Sequence, residues 1–246
     1  MKRFVILRLV LCFATGLGAI CSASFAHMSQ QKDDKVAKSA VQTTGLSPDK
    51  GKFRIMLEGK VVGNEEFEIS PAGASWTARG TTTAHVPGGG DVKASGQLTL
   101  SSDGSPIHYS WTAQTQKKGS GAVEFTNGTA KSAIDLGGKS PYLQDFTFTS
   151  SRIAVLDNNL YYQYAVLAQL YDWKASGKQE FPVLIPQDMT PGSISVEAIG
   201  QQQVENAKYE TLRVSSPDLE IFLYLDAGRR LMRVDVPSSK ATIERE

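Results

Sequence analysis

One stretch of this sequence predicts a helix, and the remainder of the chain must be arranged around it. Between Asp157 and Asp172 there is no charged residue, and apolar or aromatic side chains occupy nearly every helical direction. A helix that is apolar on all sides is normally a buried helix. The stretch contains Gln163 and Gln169, and it is shorter than the roughly 20 apolar residues that cross a bilayer. We therefore predict an inner helix over about 157–176.

The residues at both ends of this stretch are typical of helix caps. Asp157 or Asn158 can accept hydrogen bonds from the first turn, and Gly177 stands where a left-handed C-terminal cap is expected. Asp157 could instead belong to a carboxylate site, but a helix cap is the simpler interpretation. Residues Glu65, Glu66 and Glu68 are interpreted in the same way as a solvated strand face.

Most of the remaining sequence alternates between apolar and polar residues with a period of two, which is the pattern of half-buried strands. The clearest example is a three-strand meander over 76–113, and Asn127-Gly128 predicts a two-residue hairpin turn. Gly80 and Gly96 share the inward face of the meander, which indicates a strong bend or the close approach of another element, for which the helix is the natural candidate. The predicted fold is mainly β: a strongly curved antiparallel sheet, as an open or closed barrel, with the helix against its concave face. A two-sheet β-sandwich is the alternative.

The front of the chain predicts export. Residues 1–26 have a basic start, an apolar core and small residues before a cleavage position after Ala26, as in a signal peptide. Residues 27–50 are polar and predict a flexible leader, and residues 51–246 predict a single β-rich domain. The chain is therefore expected to be periplasmic or extracellular, without stable membrane insertion after cleavage.

The positions of the cysteines and the balance of basic and acidic residues limit the classes of protein to which this chain can belong. Cys12 and Cys21 both precede the cleavage position, so no disulfide is expected in the exported chain, and Ile20 is too large for a lipoprotein signal at Cys21. Cleavage would remove three basic residues and no acid, leaving 23 basic and 25 acidic residues without a Lys or Arg run longer than two. This balance excludes a nucleic-acid footprint.

We find no catalytic or metal-binding motif in the sequence. Gly138-Lys139-Ser140 lacks the first glycine of a phosphate loop and is followed by Pro141, which prevents the helix that such a loop requires. His85 and His108 are placed by the meander roughly 20 Å apart along the sheet, too far to share a metal. The chain is expected not to be an enzyme and to need no cofactor.

Two stretches carry a family resemblance. Residues 156–167, with the run Leu-Tyr-Tyr-Gln-Tyr-Ala-Val-Leu, and residues 181–187, Phe-Pro-Val-Leu-Ile-Pro-Gln, resemble a family of bacterial exported β-rich proteins of unknown function. The closing segment 231–237 and the opening hairpin with Gly59-Lys60 and Gly63 are similar to the same group. More distantly, a curved sheet around a helix resembles the half-barrels of periplasmic lipoprotein carriers, whose concave face holds acyl chains. The resemblance implies such a fold and no particular chemistry.

These features leave two functional hypotheses. In the first, an exported non-enzymatic domain of the cell envelope binds a hydrophobic or lipid-like small molecule between helix and sheet, because four tyrosines lie on the helix and the strand over 219–225 is apolar on both faces. The predicted lining residues are Tyr161, Tyr164, Leu167, Tyr171, Phe222 and Tyr224. In the second, the core is fully packed, the tyrosine hydroxyls reach sheet backbone or rim water, and the chain is a structural or protein-interaction module of the envelope with a protein partner still to be identified.

Overall fold

The computed structural model describes residues 45–115 and 118–246. The predicted signal peptide over 1–26 and the leader over 27–44 lie outside the described residues. The predicted leader is nevertheless too long at its C-terminal end, because Leu46 is buried in the core and the first strand begins at Asp49. Asp49 is itself buried and forms an ion pair with Arg245, with a distance of 2.5 Å between Oδ1 and Nη2, so the start of the domain is joined to its last strand.

The described residues form fifteen strands and one α-helix. The helix α1 spans Tyr162–Leu170, and short 3-10 turns lie at Pro186–Asp188 and Pro237–Ser239. The strands are β1 Asp49–Leu57, β2 Lys60–Ala72, β3 Ser75–Val86, β4 Gly90–Ser101, β5 Pro106–Gln114, β6 Lys118–Thr126, β7 Thr129–Asp135, β8 Tyr142–Thr147, β9 Ala154–Val155, β10 Lys178–Ile185, β11 Thr190–Val204, β12 Ala207–Ser216, β13 Leu219–Leu225, β14 Leu231–Val236 and β15 Ala241–Arg245.

All fifteen strands belong to one sheet, in the order β8-β7-β6-β5-β4-β3-β2-β1-β15-β14-β13-β12-β11-β10-β9. Two meanders are joined where β1 pairs antiparallel with β15, and β9 alone is parallel to its neighbour β10. The prediction of a strongly curved antiparallel sheet with one helix is confirmed. The sheet is not closed, and the alternative of a two-sheet sandwich is wrong because the strands form a single hydrogen-bonded series.

The turn at Asn127-Gly128 shows how the local sequence sets the register of the sheet. Asn127 has φ of 49° and Gly128 has φ of 78°, the left-handed conformation that these two residues adopt most readily. Thr126 and Thr129 are therefore directly opposite each other at the end of β6 and β7. The predicted two-residue hairpin is confirmed.

The helix lies inside the curve of the sheet, where it packs on β2, β3 and β14. Eight of its nine residues are buried, and Leu167 is among the largest fully buried side chains of the described chain. It is shorter at both ends than the predicted range over 157–176. Gly177 does not cap it, because the helix ends at Leu170 and Tyr171 is already extended.

The inward-facing glycines of the meander allow the helix to approach the sheet. A Cβ atom at Gly80 would lie 2.4 Å from Cδ1 of Tyr162, and one at Gly96 would lie 3.0 Å from the Tyr162 hydroxyl oxygen. Gly80 and Gly96 are directly opposite each other in β3 and β4. The Tyr162 ring therefore passes over a strip of sheet that carries no side chains, which confirms the predicted close approach of the helix.

Candidate functional site

The first unusual group in the interior is a carboxyl group at the start of the helix. Glu65 on β2 has no exposed surface, and its carboxyl oxygens accept hydrogen bonds from the backbone N–H groups of Tyr161 at 2.7 Å and Tyr162 at 3.2 Å. These N–H groups belong to the helix N-terminus, which has no partner within the helix itself. Glu65 therefore caps the helix from a strand almost one hundred residues earlier in the chain. Burial away from water raises the pKa of Glu65 to about 8, although the two backbone hydrogen bonds act in the opposite direction.

A second buried carboxyl group holds the segment that leads into the helix. Asp157 accepts a hydrogen bond of 2.8 Å from the Tyr109 hydroxyl, and its other oxygen accepts from the backbone N–H groups of Asn158 at 3.1 Å and Gln187 at 3.0 Å. The Asp157 backbone N–H donates to the side-chain oxygen of Gln163. Burial raises the pKa of Asp157 to about 7, and these hydrogen bonds act against that rise.

The structure corrects two sequence interpretations at this point. Asp157 was expected to cap the helix, but it lies five residues before Tyr162 and bonds instead to β5 and to the 3-10 turn after β10. Glu65 was expected on a solvated strand face, but it points inward. The period-two pattern of β2 contains the signal for this, because Glu65 has the same parity as the buried residues Phe67 and Ile69.

Perturbed carboxyl groups often mark catalytic sites, but Glu65 and Asp157 are both buried, with 0% and 3% of their surface exposed. Neither Glu65 nor Asp157 lines the cavity beside the helix or the depressions on the outer face of the sheet. Both side chains are surrounded by backbone groups and by tyrosine rings of the core. Their arrangement holds the helix N-terminus and its leading segment at a fixed position on the sheet.

The six predicted lining residues do not form one pocket. Tyr161, Tyr164, Leu167 and Tyr171 are buried together in the core, whereas Phe222 and Tyr224 are half-buried on the opposite face of β13 from Ile221, Leu223 and Leu225. On that outer face Phe222 is opposite Arg213 on β12 and Asp235 on β14, and the Tyr224 ring meets the Tyr209 ring edge-to-face at 6.1 Å.

The Tyr171 hydroxyl is one that reaches sheet backbone. It donates a hydrogen bond of 2.6 Å to the carbonyl oxygen of Gly177, and it accepts one of 3.3 Å from the backbone N–H of Ala198 on β11. Its ring packs edge-to-face against Trp173 with 5.0 Å between the ring centroids. These contacts hold the Tyr171 side chain in a buried position within the core.

The space between helix and sheet is small. A cavity of about 20 Å³ lies beside Tyr164, with Leu156, Val183, Ile194 and Ile221 among the residues that line it. Such a volume holds about one water molecule, whereas pockets for drug-sized ligands measure about 300–1,000 Å³. This cavity is therefore too small for such a ligand, and eight of the nine helix residues are buried.

Larger depressions lie on the outer, polar face of the sheet and are open to solvent. One of about 570 Å³ crosses β2 to β5 and is lined by residues that include Arg79, Thr81, Ser95 and Thr112. It carries ordinary surface pairs, such as Arg79 with Glu68 at 2.6 Å and the Ser95 hydroxyl with the Thr112 hydroxyl at 2.7 Å. These hydroxyl groups and ion pairs are typical of the wet face of an antiparallel sheet.

Within 45–115 and 118–246, no cluster of three or more His, Cys, Asp or Glu residues has the arrangement of a metal site. His85 lies beside Asp91 with 2.7 Å between Nδ1 and Oδ1, and His108 lies 3.6 Å from Glu124, each as a separate surface pair. No helix in the same part of the chain is long and apolar enough to cross a membrane.

Comparison with known proteins finds a similar fold and indicates no chemical activity. No family model matches the chain, and no curated protein matches it. Among solved structures, the crystal structure of a beta-barrel-like protein of the domain of unknown function DUF1849 from Brucella abortus is similar, with a TM-score of 0.53 and 11% sequence identity. The fold is β-barrel-like. The similarity covers 82% of this chain and 96% of the Brucella chain, and at this identity it shows the fold alone.

Proposed function

We propose that this chain is an exported, non-enzymatic domain of the cell envelope that acts as a structural or protein-interaction module through its surface. The observation that carries this proposal is the filled core: the cavity between helix and sheet measures only about 20 Å³. A carrier of lipids would need an apolar space many times larger. The buried carboxyl groups support the same proposal, because Glu65 and Asp157 hold the helix in the position where a ligand would otherwise lie.

Native mass spectrometry after mild extraction tests this proposal. We expect the mass of the chain alone, and no saturable binding of fluorescent fatty acids or of phospholipid. A co-purified lipid at one molecule per chain, retained after exchange into lipid-free buffer, would show that the helix moves aside and would refute the filled-core module. A lipid carrier extracted in the same way serves as the positive control.

The proposed export rests on the sequence of residues 1–26, with its basic start, apolar core and small residues before Ala26. Cell fractionation of the full chain and of a variant that lacks the apolar core over 4–20 is the test. We expect the full chain in the periplasm or medium in a form shortened by about 26 residues, and the variant in the cytoplasm at full length. A full chain that stays in the cytoplasm would refute the proposed location in the cell envelope.

A further inference from the structure

The two ends of the open sheet are built differently. At one end, β9 has only two residues, Ala154 and Val155, both buried, and it runs parallel to β10. At the other end, β8 has six residues, Tyr142–Thr147, and pairs antiparallel with β7. In the part of the chain that the structure describes, no strand pairs with the far side of β8. One edge is therefore short and covered, and the other presents a row of backbone donors and acceptors.

The open edge also carries exposed apolar side chains. Tyr142 is 66% exposed and Leu143 is 75% exposed on the strand, and Leu136, in the loop before it, is 61% exposed. Only two other large apolar side chains of the described residues, Val61 and Ile107, are exposed. Natural proteins usually protect an edge strand with lysine, proline or a bulge, but β8 contains neither lysine nor proline and its single charge is Asp145. An edge of this kind is suited to accept another strand.

We propose that β8 pairs antiparallel with β8 of a second copy of this chain, so that two sheets continue into one another across a two-fold axis. The proposal rests on the proposed function as an interaction module and names its partner. In such a pair, residues that lie opposite each other point to the same face of the sheet. Because the two strands are identical, the numbers of two opposite residues must therefore add up to an even number. The two-fold axis then passes between one central residue and the same residue of the second copy. The exposed part of β8 then offers four central positions: Tyr142, Leu143, Gln144 and Asp145.

The chemistry of the strand selects Gln144 as the centre. A centre at Asp145 would place two carboxylates directly opposite each other, which is destabilising. A centre at Tyr142 or at Leu143 would bring Pro141, which has no N–H group, into the ladder. A centre at Gln144 places Tyr142 against Phe146 of the second copy on the inner face and Leu143 against Asp145 of the second copy on the outer face. This register pairs residues 142–146 without like charges and covers the two most exposed apolar side chains.

Cysteine cross-linking tests the register directly, because the only natural cysteines are Cys12 and Cys21. In the full chain with both replaced by serine, Gln144→Cys places two thiols opposite each other, with Cα atoms about 4.5–5.5 Å apart, which a disulfide can bridge. Leu143→Cys is the matched control, because its two copies would lie one residue to either side of the axis, and such a diagonal pair is about 7–8 Å apart, beyond the roughly 7 Å limit of a disulfide. We expect mild oxidation to yield a covalent dimer of the Gln144→Cys variant and to leave Leu143→Cys monomeric.

Analytical ultracentrifugation of the unmodified chain tests the association itself. We expect a reversible dimer whose Kd rises at least tenfold in Leu143→Glu, because the new carboxylate would lie opposite Asp145 of the second copy and like charges directly opposite each other destabilise strand pairing. The control Val61→Glu changes a side chain of 61% exposure on a different hairpin and should leave the Kd unchanged. Thermal melts of both glutamate variants confirm that the fold is retained.

Three results would overturn the proposal: a monomer at all concentrations, equal cross-linking of both cysteine variants, or hydrogen-exchange protection, in a monomer, of the β8 amides that do not bond to β7. The last would show that another segment of the same chain covers the edge. Binding of an added extended peptide to β8 by a chain that itself stays monomeric would also count against the proposal. None of these results bears on the ligand-free mass expected for the filled core, so failure of the dimer and failure of the proposed function can be told apart.

Discussion

The close passage of Tyr162 over Gly80 gives a prediction that depends on the whole architecture. In Gly80→Ala, the new Cβ atom would lie 2.4 Å from Cδ1 of Tyr162 and 2.5 Å from Oε1 of Glu65. Carbon atoms in contact are normally about 3.5–4.0 Å apart, so one methyl group creates an overlap of about 1 Å. The Tyr162 ring is fully buried and its backbone N–H is held by Glu65, so neither neighbour can move without breaking other contacts.

The size of the effect follows from two opposing contributions. Forcing an extra methyl group into a packed core costs about 1–3 kcal/mol, while replacing glycine by alanine restricts the unfolded chain and stabilises the folded state by about 0.4–1 kcal/mol. We expect the steric contribution to dominate, with a net loss of about 1–2 kcal/mol. For a domain of this size, each kcal/mol lowers Tm by about 2–4 °C, so Gly80→Ala should melt about 2–8 °C below the unmodified chain.

The assay is a thermal melt with a matched control. Gly138→Ala makes the same chemical change in a loop where the nearest atom to the new Cβ, the carbonyl oxygen of Ser140, is 3.8 Å away, so its Tm should stay the same or rise slightly. In a Tyr162→Ala background the ring is gone, and adding Gly80→Ala should then cost much less than in the unmodified chain. Equal melting temperatures for Gly80→Ala and Gly138→Ala would refute the placement of the helix over this strip of the sheet.

Three further predictions concern the interior. Leu167→Asp buries an unpaired charge and should cost several kcal/mol, which is a large part of a domain stability of about 5–15 kcal/mol. Lys93→Asp on the exposed outer face should change stability by less than about 0.5 kcal/mol, and thermal melts compare the two variants. Tyr109→Phe removes the hydroxyl that donates to Asp157 and should cost about 1–3 kcal/mol in urea denaturation, and no loss would mean that this hydrogen bond adds nothing. Because the pKa of Glu65 rises from 4.5 to about 8 on folding, its contribution to stability is complete below about pH 4.5 and is lost as the pH rises towards 8; Glu65→Gln should reduce this loss, and equal slopes of stability against pH would contradict the assignment.

The sheet was predictable because its signals are local. Alternating side chains show which face of each strand is buried, and the turn at Asn127-Gly128 fixes its own geometry. The contact between the helix and the glycine strip was predictable for a similar reason. Gly80 and Gly96 fall at inward positions of strands whose pairing follows from the turn between them, so their proximity is a consequence of the register.

The parts that sequence reasoning missed depend on residues far apart in the chain. Nothing near Asp157 shows that its carboxyl group will meet Tyr109 and Gln187, and these contacts hold residues 157–161 out of the helix. The strand over 219–225 is apolar on both faces, and the sequence alone does not show that Phe222 will lie between Arg213 and Asp235 of neighbouring strands. Whether fifteen strands close into a barrel is likewise a property of the summed twist and not of any single strand.

The energetics of the helix favour the proposed packed module over a carrier. A lipid could enter the concave side of the sheet only if α1 moved out, which would expose Val166, Leu167 and Leu170 to water. Each of these side chains contributes about 1.5–3 kcal/mol when fully buried, so the three alone amount to about 5–9 kcal/mol. The helix would also release the hydrogen bonds of its first turn to Glu65. This total is comparable to the whole stability of a domain, about 5–15 kcal/mol, so a ligand that replaced the helix would have to match nearly the entire free energy of folding. The surface of the sheet and its open edge carry no such requirement, and recognition at β8 leaves the core intact.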